Sequence, residues 1–386
     1  MIGGMTHADS IATLRRRSSE KWTAYPDDIL PMFVAEMDFP LAPPIRAALA
    51  EALELGDTGY IGGKDRRAAE AFARFAGERW GWSPDPRRMG STTDVSVVIV
   101  ESLRRLIASG DGVIVTPPVY PPFFDLIPEA GGVVVEVPLL DDGEAYTLDL
   151  AGIDRALAAG ARAVLLCNPH NPTGTVHDRA TLEELSRIVA AHGATVVSDE
   201  IHAPLVHTGQ TFTPYLTVSD DARDHAIAAA SASKAFNLAG LKTALFVTES
   251  DRMRAILRSL PNEVTYRTGL FGLIATREGF GAGGEWLDST IATIEGNFRM
   301  LEHELAEHLP GVRLRRPQAT YLAWLDVSAL GLGDKPAAWI LKHAKVALYD
   351  GKGFGREGAG YVRMNIACAP ETIAEAVQRI SLALAR

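Results

Sequence analysis

The sequence predicts an α/β protein, a mostly parallel sheet flanked by helices, joined to a smaller α+β domain. Three observations carry this. Between about residues 91 and 250, short β-branched runs alternate with amphipathic helical stretches. Polar, turn-forming motifs follow several of those runs, where open α/β sheets hold their ligands. From about Gly281 the pattern becomes one long helix, three short strands and a closing helix.

Val113-Ile114-Val115, Val133-Val134-Val135, Ala163-Val164-Leu165-Leu166, Thr195-Val196-Val197 and Leu245-Phe246-Val247 read as buried strands. Between two of them, 178–192 carries Leu182, Leu185, Ile188 and Val189 at helical spacing. Strand, helix, strand in that order implies parallel pairing with the helix across one face. Beyond the change of pattern, 285–308 reads as one helix, 321–325, 346–349 and 361–366 as strands, and a last helix starts at Pro370. The expected division is an N-terminal arm (1–40) packing with the small domain, a large domain (41–280) and a small C-terminal domain (281–386). The Gly281 to Gly284 stretch is the expected hinge.

Composition narrows the function classes. A net charge of −10 with a pI near 5.5 disfavours nucleic acid or an anionic membrane as partner. The only cysteines, Cys167 and Cys368, lie in apolar runs, which reads as buried thiols in a reducing compartment. No apolar run is long enough to span a bilayer, and the first ten residues lack a signal-peptide core. A cytoplasmic enzyme is the expectation.

Lys234, in Ser231-Ala232-Ser233-Lys234-Ala235-Phe236, follows small hydroxyl residues and precedes an apolar stretch. Held in a crowded pocket, such an amine has a lowered pKa and can form a Schiff base with an aldehyde. Asn168-Pro169-His170-Asn171-Pro172-Thr173-Gly174 is either a plain turn or a rigid loop aiming the Asn171 amide into a site. Asp199 closes a strand; it is either a helix cap or a partner for a buried cationic ring nitrogen. Thr92-Thr93-Asp94-Val95-Ser96 precedes an amphipathic helix, whose free N-terminal amides suit a phosphate.

In their order and spacing, Asn171-Pro172-Thr173-Gly174, Asp199 and Ser231-Ala232-Ser233-Lys234 resemble the signature of the pyridoxal-phosphate enzymes of fold type I, the aminotransferase class I/II superfamily. Pro31-Met32-Phe33-Val34-Ala35-Glu36-Met37-Asp38-Phe39, Thr116-Pro117-Pro118-Val119-Tyr120, Ser198-Asp199-Glu200-Ile201-His202, Thr320-Tyr321-Leu322-Ala323-Trp324-Leu325-Asp326 and Val362-Arg363-Met364-Asn365-Ile366-Ala367-Cys368 are similar to one branch, the MalY/PatB cystathionine β-lyase family. The likeness runs from Lys21-Trp22 to Cys368.

The resemblance implies pyridoxal 5′-phosphate as cofactor, with Lys234 as Schiff-base lysine and Cα base. Asp199 would keep the cofactor ring nitrogen protonated. Asn171 would bond the ring oxygen, with His202 standing where many superfamily members have a tyrosine. Tyr120 would stack on the ring. Val95, Ser96, Ser231 and Lys242 would cradle the phosphate, and Tyr60 would reach it from a neighbouring subunit, which implies a homodimer. Arg363 would clamp the substrate carboxylate. The implied reaction is carbon–sulfur β-elimination from cystathionine or a cysteine S-conjugate. Transamination by the same residues, and a regulatory protein that has kept the fold, stay open.

Two departures stand out. Asp94 replaces a frequent glycine beside the phosphate and is tolerable there if its side chain turns away to cap the helix. Pro121 replaces a second tyrosine after Tyr120, so no phenol can act at that position. The Gly353-Phe354-Gly355-Arg356-Glu357-Gly358 stretch matches a dinucleotide-binding pattern but precedes a strand instead of following one, and reads as a flexible loop near the site entrance. His303 and His308 fall on different helix faces, so no metal is expected.

Overall fold

Seven strands of β-branched and small residues build the central sheet: β1 Met89–Thr92, β2 Gly112–Val115, β3 Val133–Glu136, β4 Ala161–Cys167, β5 Thr195–Asp199, β6 Ala226–Ala230 and β7 Ala244–Val247. This computed structural model describes residues 6–62 and 65–386. The spatial order is β1-β7-β6-β5-β4-β2-β3. β2 to β6 pair in parallel, and β7 runs against both its neighbours, β1 and β6.

That topology gathers the polar motifs at one edge. The carboxyl ends of β1, β2, β4, β5 and β6 all point the same way. Thr92, Val115, Cys167, Asp199 and Ala230 therefore end strands on one rim, and antiparallel β7 begins there at Ala244, after Lys242. The helix Val95–Leu106 buries Val98, Ile99 and Leu103 in the same cluster as Val197, Ile227, Ala229 and Phe246. Its amino end is thereby fixed at the rim.

The expected strands form, with one correction. The run at Val133 is not buried: β3 is the sheet's edge, and Val133 is 54% exposed. Edge position overrides what a β-branched run suggests. β1 was not expected, and β6 was expected only as an unspecified strand before Ser231. β6 is Ala226-Ile227-Ala228-Ala229-Ala230, every residue buried, and alanine carries little strand signal.

The second sheet has four antiparallel strands in the order Arg313–Leu314, Leu322–Asp326, Tyr361–Asn365, Tyr349–Asp350. The helices Gly284–His308 and Pro370–Leu384 form as expected. The helical run breaks at Gly283, between Leu270–Ala282 and Gly284–His308; a β-carbon there would meet the Gly279 carbonyl oxygen at 2.5 Å. The 353–358 stretch is packed rather than free. It forms two 3₁₀ turns, Phe354 is fully buried, and the Val119 N–H donates to the Phe354 carbonyl at 2.8 Å.

The N-terminal segment is tied down over its length. Leu30–Pro31 pairs in parallel with Val346–Ala347. Lys21 and Asp38, 1% and 2% exposed, form a buried ion pair at 2.8 Å, and Trp22 Nε1 donates to the same carboxylate at 3.2 Å. Burial pushes the Asp38 carboxyl above its ordinary pKa, against the pull of Lys21.

Removing one partner of such a pair leaves an uncompensated buried charge. Asp38→Ala is therefore expected to cost about 3–5 kcal/mol, while a Lys21→Met, Asp38→Leu double variant regains most of that loss. Thermal melts of the three proteins in one buffer measure both. Equal melting temperatures for wild type and Asp38→Ala would remove the pair from the account.

Candidate active site

Lys234 lies just past the carboxyl end of β6. Its Nζ donates to the Ala35 carbonyl at 3.1 Å, from the other side of the cleft. Burial lowers its pKa to about 8, helped by the Arg363 guanidinium and opposed by Glu36 and Asp199. At neutral pH a useful fraction of the amine is thus neutral, as a nucleophile or base requires.

Asp199 ends β5 and is buried. Oδ1 accepts from the Ile201 N–H at 3.1 Å, an Asx turn, so the capping and pairing readings coexist. Oδ2 has no hydrogen-bond partner among the described residues. Burial raises the carboxyl pKa to about 6, against the Ile201 amide and Lys234. A buried carboxylate in this state fits a cationic ring N–H.

Asn171 follows β4 on a loop that turns at Gly174. There φ is +68° and a β-carbon would collide with Pro317, so only glycine fits. Arg363 Nη1 donates to Asn171 Oδ1 at 3.0 Å. A guanidinium only donates, so the Asn171 oxygen must face it, and the amide Nδ2 is left as a donor for the site. Arg363 is 4% exposed in the middle of the small sheet. Its Nη2 donates to the Phe33 carbonyl at 3.1 Å, and its Nε is buried without a partner. Its guanidinium carbon lies 5.1 Å from the Tyr349 ring centre and 5.0 Å from that of Phe354. Burial brings its pKa down to about 10.

His202 is buried, its Nδ1 unpartnered. Burial, with Lys234 and Arg363 nearby, lowers its pKa to about 3, so the imidazole is neutral. Tyr120 is half-buried at the rim, edge-on to Phe123 at 5.7 Å. Burial and Asp199 push its phenol up to about 12, which suits a stacking ring and not a phenolate. Lys234, Asp199, Asn171, His202, Tyr120 and Arg363 thus share one cleft.

Most of the residues expected at a phosphate lie at the same rim. Val95 and Ser96 are the first residues of their helix, so their N–H groups have no intrahelical acceptor. Asp94 does turn away, its Oδ1 accepting from the Val97 N–H at 3.1 Å and its Oδ2 lying 3.7 Å from Lys242 Nζ. Lys242 is exposed. The Ser231 hydroxyl donates to the Thr243 carbonyl at 2.8 Å and lies 2.7 Å from Ser233 Oγ. Tyr60 stands apart, 96% exposed and without a side-chain partner among the described residues. The orphaned His202 Nδ1, the orphaned Arg363 Nε and the free helix amides together fit a phosphorylated, ionisable ring carrying an amino-acid carboxylate beside it.

Several contributors escaped the sequence reading. Tyr349 and Phe354 pack together on one side of Arg363, their own ring centres 5.2 Å apart. Tyr321 donates to the Ala35 carbonyl at 3.0 Å, and Asn365 Nδ2 donates to the Val34 and Glu36 carbonyls at 2.7 and 2.6 Å. Asn365 was findable: two residues beyond Arg363 on one strand, it shares that residue's face. Glu200 was not: burial raises its carboxyl to about 8 while the Tyr215 N–H and the Ser198 hydroxyl donate to it.

Fold and cleft together define a pyridoxal-phosphate enzyme of fold type I. The family model described as aminotransferase class I and II matches residues 36–380, and the chain belongs to that family. A Mycobacterium leprae relative is 42% identical over 397 residues, 97% of each chain. The Bacillus subtilis cystathionine beta-lyase PatB is 36% identical over 92% of this chain and 93% of its own. The crystal structure of cystalysin from Treponema denticola, which contains a pyridoxal 5′-phosphate cofactor, superposes with a TM-score of 0.92 at 27% identity, covering 100% of this chain and 99% of that one.

A lowered Lys234 pKa has a direct readout. In cofactor-free protein, the rate of Lys234 modification by an amine reagent should rise with pH to a midpoint near 8, the neutral amine being the reactive form. Peptide mapping across a pH series measures it. A midpoint near 10.5, the ordinary lysine value, would contradict the desolvated setting.

Proposed function

We propose that this protein is a carbon–sulfur β-lyase that cleaves cystathionine or a cysteine S-conjugate to a thiol, pyruvate and ammonia. The observation that carries this is the near full-length match to a relative named cystathionine beta-lyase, on a chain whose cleft brings Lys234, Asp199 and Arg363 together. When bound, the cofactor supplies an aldehyde for lysine or substrate amine and a protonated ring that stabilises negative charge at substrate Cα.

The chain's own residues do the rest. Arg363 has five donor hydrogens, of which Asn171 and Phe33 take two. The remainder, including Nε, clamp the substrate carboxylate and fix the direction of the Cα–H bond. Lys234 Nζ, in the neutral form that desolvation makes more accessible, takes that proton. The Cα–H electron pair becomes a Cα=Cβ bond as the Cβ–S pair leaves on sulfur, and water then releases pyruvate and ammonia from the three-carbon remainder. Asp199 would hold the ring nitrogen's proton, Asn171 Nδ2 and His202 would serve the ring oxygen, and Tyr120 would stack on the ring. The Val95 and Ser96 amides, with Ser231 and Lys242, would receive the phosphate.

The exposed Tyr60 supports a homodimer in which its phenol completes the neighbouring subunit's phosphate site. Among the described residues no helix is long and apolar enough to cross a membrane, in keeping with a cytoplasmic enzyme. We read 1–40 as an arm, 41–280 as the cofactor domain and 281–386 as the small domain. A second reading, amino-acid transamination, is favoured by the family model itself. In that case Lys234 would return the proton to the cofactor's aldehyde-derived carbon.

Incubation with cystathionine and no keto acid separates the two. Thiol and pyruvate should appear in equal amounts; strict dependence on an added keto acid would establish the aminotransferase instead. Arg363→Lys keeps the charge but loses the fork. It should lower kcat/KM about tenfold to hundredfold, the value of one to two charge-assisted hydrogen bonds.

A further inference from the structure

A cavity adjoins the residues that follow Tyr120. It is open, about 710 Å³ in volume, and runs between Pro121 and Phe124 on one side and the 352–356 turns on the other. Its inner wall is continuous with the site. Pro121 follows Tyr120 in the chain, and a β-carbon at Gly353 would meet the Tyr349 ring at 3.1 Å, the ring that lies on Arg363. A substrate amino acid held by Arg363 therefore has its side chain free to extend into this cavity.

The cavity is lined by charges of both signs. Asp125, from the helix Phe123–Glu129, and Glu136, at the end of β3, supply the acids; Lys352 and Arg356, from the two 3₁₀ turns, supply the bases. All four are exposed. Asp125, Glu136 and Arg356 have no ion pair or side-chain hydrogen bond among the described residues. Lys352 has only a 3.7 Å approach to the exposed Asp334. Two acids and one base without an ion pair, with a second base held only by a 3.7 Å approach, form a surface complementary to a ligand that carries both signs.

Resting on the lyase reading above, we propose that this outer cavity receives the leaving-group end of the substrate. It selects thioethers whose tail ends in an amino-acid zwitterion, the amine facing Asp125 and Glu136 and the carboxylate facing Arg356 and Lys352. Cystathionine has such a tail, and simple S-alkyl cysteines do not. Contacts between exposed charges are worth factors of about 2 to 5 each, so the subsite ranks substrates without being needed for the chemistry.

Four thioethers test this with the holoenzyme: cystathionine, S-(2-carboxyethyl)cysteine, S-(2-aminoethyl)cysteine and S-ethylcysteine. Arg356→Gln should lower kcat/KM for cystathionine and the carboxylate-tailed compound by about 3- to 5-fold relative to S-ethylcysteine, through KM. Glu136→Gln should do the same for cystathionine and the amine-tailed compound. Equilibrium binding of the four to the cofactor-loaded Lys234→Ala protein, which cannot turn them over, should show the same ratios. Ratios unchanged in both variants and in their double variant would overturn the subsite. If the wild type releases thiol from none of the four, the lyase reading fails, and the binding ratios alone then decide the subsite.

Discussion

The site depends on the carbonyl oxygens of one short extended segment. Phe33 accepts from Arg363, Ala35 from both Lys234 and Tyr321, and Val34 and Glu36 from Asn365. Met37 is held by its N–H and its carbonyl to the Asn237 side chain. Lysine and asparagine from the β6–β7 connection thus share a backbone with arginine and asparagine from the small sheet. Such carbonyls must be paired when buried, and here side chains of both sheets do the pairing. The Lys21–Asp38 pair fixes the far end of the same segment. The distance between Lys234 and Arg363 is therefore set by main chain, which flexes less than a direct contact between two long side chains would.

Desolvation then does the electrostatic work. The cleft gathers a lysine, an arginine, an aspartate and a histidine, and burial shifts each toward its neutral form. The lysine gains nucleophilicity, and the histidine becomes a neutral hydrogen-bonding group beside two cations. Arginine, whose ordinary pKa is far higher, stays charged at a pKa of about 10. One environment therefore produces a base, a neutral donor or acceptor and a permanent cation, because the three groups start from different intrinsic values.

The α/β alternation and the rim motifs were legible because strand runs and turn chemistry are local properties. Lys234, Asp199 and Asn171 could be singled out for the same reason, whereas Arg363 was marked only by the family resemblance. Three things were not legible. β6 is nearly all alanine, and its strand character comes from neighbours on both sides. The exposure of β3 follows from its place at the end of the strand order, which no local window contains. The shared carbonyls at Phe33 to Glu36 leave no residue-type signal, since every residue has a carbonyl. Tyr60 was marked only by the resemblance, and among the described residues its phenol has no side-chain partner.

The antiparallel course of β7 has a consequence for the lysine. A parallel neighbour would have to begin at the opposite rim, so the connection would cross the whole sheet. Here β6 and β7 pair side by side, Leu245 opposite Ala230, so both ends of the segment bearing Lys234 are anchored at neighbouring points on the same edge. Its Ser231 and Thr243 ends are also bonded to each other. The segment is a closed loop with a short chord, and the entropy of holding the amine in place is lost once, when the sheet forms. The lysine reaches each reaction cycle already positioned, and none of the binding energy of cofactor or substrate is needed to order it.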